Sequence, residues 1–111
     1  MSKPAQTPEP PYYAVIFTSC RTDLAEGYDD TSDRMLELAA QQPGFLGVES
    51  ARAEDGLGIT VSYWESEEAI ANWRANAEHR IAQSHGRGKW YDEFVTRVAK
   101  VERARAFTRG E

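Results

Sequence analysis

The chain has 111 residues, 13 of them basic and 18 acidic, for a net charge of −5. That length suits one small domain with a modest core, for which association with a second copy is a natural complement. The acidic balance, with basic residues scattered apart from the loose tail Arg103, Arg105 and Arg109, argues against nucleic-acid and anionic-membrane partners.

Residues 1–11 carry four of the five prolines and little to bury, so they read as a disordered or extended arm, with the folded unit running from residue 12 to 103 and a flexible tail over 104–111. The amino terminus has no basic and apolar leader, and no stretch is long enough to cross a bilayer, so the expected location is cytoplasmic. Cys20 is the single cysteine, which excludes an intrachain disulfide and reads as a small hydrophobe.

Tyr12 to Cys20 is rich in β-branched and aromatic residues and predicts a first strand, on which Tyr13 and Phe17 share a side. Asp29 to Gln41 places Met35, Leu38 and Ala39 at helical spacing and is stopped by Pro43-Gly44. Phe45–Glu54 and Leu57–Trp64 flank Asp55-Gly56, a pair that tolerates positive φ and therefore predicts a hairpin.

Ser66 is placed to cap a second helix, with Glu67 and Glu68 opposing its macrodipole and Ile70, Trp73, Ala77 and Ile81 on its apolar side. Asn76 looks like a new cap, so a break and restart is expected there. A glycine-punctuated stretch leads to a last strand from Tyr91 to Glu102, alternating Val95/Ala99/Val101 with Phe94/Thr96/Val98.

The order β-α-β-β-α-β predicts a ferredoxin-like α+β fold, a four-stranded antiparallel sheet with both helices on one face. The other face also carries aliphatic side chains, and its expected cover is an identical sheet, giving a homodimer.

Tyr12–Cys20, the joint Gln42-Pro43-Gly44-Phe45-Leu46-Gly47, and Tyr63-Trp64-Glu65-Ser66 followed by Trp73 and His79 resemble the antibiotic biosynthesis monooxygenase superfamily of dimeric α+β barrels. The resemblance implies a pocket in each subunit between sheet and helices. It also implies cofactor-independent oxidation of a phenol- or quinol-like aromatic by dioxygen. Trp64 matches the pocket tryptophan of polyketide-oxidising relatives, whose neighbouring asparagine and tyrosine are replaced by Thr60 and Ile70. Trp73 matches the helical tryptophan of haem-degrading relatives, but Gln83 stands where they carry the axial histidine, so a haem enzyme is the weaker implication. A non-catalytic ligand-binding or interaction module is the alternative.

Cofactor-free oxygenation needs a base near neutrality, and the two histidines are the candidates. On a straight helix His79 lies opposite Trp73, whereas His85 shares the side of Ile81 and is the better pocket candidate. Trp64, Trp73, Phe17, Tyr63 and Tyr91 are the candidate lining for a flat aromatic. Arg97 lies between Val95 and Ala99 on an otherwise apolar strand face, where it calls for a carboxylate across the dimer or an anionic substrate. Two histidines six apart are not on one helical face and no carboxylate completes a triad, so neither a metal site nor a cofactor is expected.

Overall fold

A computed structural model describes residues 3–22, 28–84 and 91–110. The elements follow in the expected order: β1 (Tyr12–Arg21), α1 (Tyr28–Ala40), β2 (Phe45–Arg52), β3 (Leu57–Trp64), α2 (Glu67–Ser84) and β4 (Tyr91–Val101). The four strands form one antiparallel sheet in the order β2-β3-β1-β4. This is the ferredoxin-like α+β arrangement, in which each helix crosses over from one strand to a strand two places away.

Each joint has a local cause. The α1–β2 turn places Gly44 at φ +87°, and a Cβ there would stand 2.6 Å from the Cβ of Ala69 on α2, so only glycine lets helix and turn meet. The Gly44 carbonyl accepts from the Glu65 amide at 2.8 Å, tying the start of β2 to the end of β3. The hairpin turns over residues 53–56, with Gly56 at φ +98° and the Asp55 carboxylate accepting from the Leu57 amide at 3.0 Å. Because the turn begins at Ala53, β2 stops at Arg52 instead of reaching Glu54.

Ser66 caps α2 as its sequence predicts, its Oγ accepting from the Ala69 amide at 3.1 Å, and Glu67 and Glu68 occupy the first turn. The expected break at Asn76 is absent: α2 runs unbroken from Glu67 to Ser84. Asn76 is exposed, so its side chain stays in solvent without competing for the helix's backbone groups.

The core sits where the helices meet the sheet, built on Ala39, Trp64, Ala69 and Ile70 with Tyr13, Val15, Phe45 and Trp73 packed around them. No helix among the described residues is long and apolar enough to cross a membrane.

Candidate functional site

Strand register assigns each side chain to a face. The helix-facing side carries Tyr13, Val15, Phe17 and Ser19 of β1, opposite Trp64, Ser62, Thr60 and Gly58 of β3 and, on the other flank, Lys100, Val98, Thr96 and Phe94 of β4. Among the described residues, two aromatic groups stand on this face. Trp64 stacks on Trp73 at 6.2 Å between centroids and meets Phe45 edge-on at 5.4 Å. Phe17 contacts Tyr91 at 5.5 Å and Phe94 at 5.3 Å, and those two rings meet at 5.8 Å.

The groups differ in cover. α1 packs on β2 and α2 on β3, which closes that half of the face and leaves Trp64 with no exposed surface. Its indole N–H donates to Ser62 Oγ at 2.9 Å, so its polar atom is satisfied within the strand. Trp64 thus backs Trp73, which is half-buried on the outside of the stack. On the β1–β4 half, by contrast, Phe94 is 38% and Val98 44% exposed. Val15, Phe17, Phe94, Thr96 and Val98 therefore form an apolar floor with aromatic rings at one end and the tryptophan stack on its flank. Such a surface suits a flat, largely apolar ligand.

The far end of the same face is held by an arginine. Arg52 lies over Gly58, where any Cβ would sit 2.5 Å from the guanidinium carbon. It donates to the Gly56 carbonyl and, at 2.9 Å, to the Oγ of buried Ser19, locking the hairpin onto β1.

The candidates read from sequence are thus divided. Trp64, Trp73, Phe17 and Tyr91 lie on the helix-facing side. Tyr63 and Arg97 lie on the opposite side, which register sets by pairing Tyr63 with Ala14 and Arg97 with Ile16. Phe94 and Val98 were not singled out from the sequence, although their parity on β4, opposite to that of Val95 and Arg97, marks them as companions of Phe17 once β4 is paired with β1. His79 belongs to α2, but its side chain, like the whole of His85, lies outside the described residues.

Two groups with perturbed titration, Glu49 and Tyr63, lie on the opposite side as well. Tyr63 donates its phenol proton to Glu49 Oε1 while the Ala5 amide donates to Oε2 at 2.9 Å. The bond from Tyr63, helped by the Ala5 amide, holds the Glu49 carboxyl below its ordinary value against the pull of desolvation. Burial, then the bond to Glu49 and its charge, pushes Tyr63 up to about 12. Thr7 Oγ1 and Tyr12 Oη are 2.8 Å apart, and Tyr12 meets Tyr63 edge-on at 5.8 Å. The proline-rich arm is therefore anchored over this corner, with Ala5 above Gly47. Among the described residues no cluster of three or more His, Cys, Asp or Glu is placed to hold a metal ion.

Residues 11–85 match the family described as antibiotic biosynthesis monooxygenase. The uncharacterised protein YqjZ of Bacillus subtilis is 57% identical over 103 residues, covering 93% of this chain and 90% of that protein. The jasmonate monooxygenase of Pyricularia oryzae is 26% identical over 89 residues, which are 80% of this chain and 35% of that longer protein. Among solved structures, the cofactor-independent oxygenase SnoaB of Streptomyces nogalater superposes with a TM-score of 0.62 at 12% identity, over 92% of this chain and all of that one, a likeness of fold.

Proposed function

The chain belongs to the antibiotic biosynthesis monooxygenase family, and we propose that it is a cytoplasmic, homodimeric, cofactor-independent monooxygenase of a small phenol- or quinol-like aromatic. Members of the family are commonly dimeric. The observation that carries the substrate class is the half-covered apolar floor of Phe17, Phe94 and Val98 beside the Trp64–Trp73 stack. It offers ring faces and edges on which a flat aromatic ring could stack.

The reaction class follows from electron balance. A phenol whose keto tautomer carries a ring CH2 supplies four electrons to dioxygen: the CH2 becomes a carbonyl holding one oxygen atom, and the other leaves as water with both hydrogens. A base removes the first proton and so makes the ring electron-rich enough to reduce dioxygen, and a ligand seated on the apolar floor would displace competing water from it. His85 or His79 is the proposed base. Trp73, Phe17 and Tyr91 would hold the ring, with Trp64 behind them.

The test is oxygen uptake over a panel of anthrone-like and hydroquinone compounds, with 18O2 traced into the product. One labelled oxygen per turnover, without added cofactor and with the rate lost in His85→Ala, is the expected outcome. Saturable tryptophan quenching without oxygen uptake across the panel would replace the enzyme by a binding module. A Soret shift on haem titration would move the reading to haem chemistry.

A further inference from the structure

On the helix-facing side of the sheet, one row of the register runs Arg52, Gly58, Ser19 and Phe94, and the next runs Ser50, Thr60, Phe17 and Thr96. Gly58 has no side chain, and the Arg52 guanidinium lies where one would stand. The Phe17 end of the apolar floor is therefore bordered, roughly 7 Å along the strands, by a cation and a hydroxyl. Among the described strand residues of these two rows and of the Val15 row beyond them, Arg52 is the only charged one.

Ser19 is 1% exposed, and its Oγ accepts from Arg52 Nη2 at 2.9 Å, because a guanidinium can only donate. The hydroxyl hydrogen is thus left to donate, and among the described residues no other hydrogen bond of Ser19 takes it. A buried O–H without an acceptor is costly, and a ligand oxygen would relieve that cost. Arg52 in turn is held by two bonds, through Nη1 to the Gly56 carbonyl and through Nη2 to Ser19, so its charge is fixed beside that hydroxyl.

We propose that Ser19 and Arg52 form the polar end of the ligand site, and that the ligand is a flat aromatic with an ionised ring hydroxyl, its ring on the floor and its oxygen accepting from the Ser19 hydroxyl. This rests on the floor being the ligand site of the function proposed above. Ser19 touches the ligand oxygen. Arg52 is a positioning residue: by occupying the lone pair of Ser19 it turns the hydroxyl hydrogen away from itself, and its charge favours phenolate over phenol.

The arrangement orders a ligand as well as selecting one. A ring held by its faces on an apolar floor is free to turn in its own plane, whereas one oxygen fixed at Ser19 leaves a single orientation. The phenolate is also the electron-rich form that oxidation by dioxygen requires, the proton having passed to the base or to solvent.

The experiment titrates two probes: 4-nitrophenol, whose phenolate is coloured, and 4-nitroanisole, which has a methyl group in place of the acidic hydrogen. Bound 4-nitrophenol should ionise about one pH unit lower than free 4-nitrophenol, which means that its anion binds about tenfold tighter than its neutral form. Arg52→Gln should abolish that shift and Arg52→Lys should keep at least about half of it, since lysine retains the charge. Ser19→Ala should weaken the anion by about tenfold. In every variant 4-nitroanisole should bind within about twofold of the parent, and circular dichroism should show the fold retained. Should Arg52→Gln fail to fold, Ser19→Ala and Arg52→Lys decide the matter on the same readouts. If 4-nitroanisole binds but 4-nitrophenol shows no preference for its anion, the floor stands and this proposal falls. Equal losses for both probes in the variants would also overturn it, leaving the pair as a lock between hairpin and β1. If neither probe binds, the floor and the proposal fall together. A shifted phenol that responds to the variants as expected, without oxygen uptake, would uphold the site and remove only the enzymatic reading.

Discussion

Tyr63 and Glu49 meet across β3 and β2, the phenol donating to one carboxylate oxygen while the backbone amide of Ala5 donates to the other. One carboxylate thereby joins a strand, its neighbour and the N-terminal arm. Its two oxygens are both used, and neither bond would exist without the register that puts Gly47 opposite Tyr63 and Glu49 opposite Val61.

Tyr63 should therefore ionise well above the usual range of a phenol. Its folded value is raised from 10.0 to about 12, so the fold favours the protonated phenol. The stabilisation is complete below pH 10 and is lost as pH rises through 12. Glu49 has the reverse sign: its value is lowered from 4.5, so its contribution is present above that pH and fades as pH falls below it. Absorbance titration at 295 nm checks the first part, with a phenol that ionises near 12 missing in Tyr63→Phe. A spectrum in which Tyr63→Phe removes an ordinary phenol titrating near 10 would contradict it.

The two stacked tryptophans should separate under mutation. Trp64 has no exposed surface, so Trp64→Ala should cost roughly 3–5 kcal/mol, a large share of a small domain's stability. Trp73 is half-buried, and Trp73→Phe should cost under about 1.5 kcal/mol while removing most ligand-dependent fluorescence quenching. Denaturant melts paired with quenching titrations read both effects. Equal stability losses for the two, or quenching that survives in Trp73→Phe, would place the ligand elsewhere.

Gly47 is where the arm should be most easily dislodged. A Cβ there would lie 3.3 Å from the Cβ of Ala5, so the branched side chain of Gly47→Val should lift the arm without straining the strand, for which valine is well suited. The expected result is loss of hydrogen-exchange protection at the Ala5 amide with a net stability change under about 1 kcal/mol. An Ala5 amide that stays protected would show that the arm is held by other bonds than those to Glu49 and Tyr12.

Much of this architecture is legible in the chain itself because its causes are local. The alternation in Tyr12–Cys20 and Leu57–Trp64, the Asp55-Gly56 turn and the Ser66 cap each act within a few residues, and element type and order follow from them. Parity likewise requires that Tyr63 and Trp64 point to opposite sides of the sheet. Asn76 shows where local reading fails: its capping preference is genuine, but an exposed side chain loses little by staying in solvent, and helix propagation past it retains every backbone bond.

Other features needed partners that are distant in the chain. Which parity faces the helices depends on the order β2-β3-β1-β4, and that order sends Trp64 and Phe17 inward and Tyr63 and Arg97 outward. The proline-rich arm has a composition that reads as solvated, yet its Ala5 amide finds a carboxylate 44 positions away. Sequence fixes preferences spanning a few residues, since those energies arise between neighbours on the chain. The division of one aromatic and charged set between two sides of a sheet, and the seat of the arm, arise only when strands far apart in sequence are brought into register, because only then do their side chains and amides share a surface.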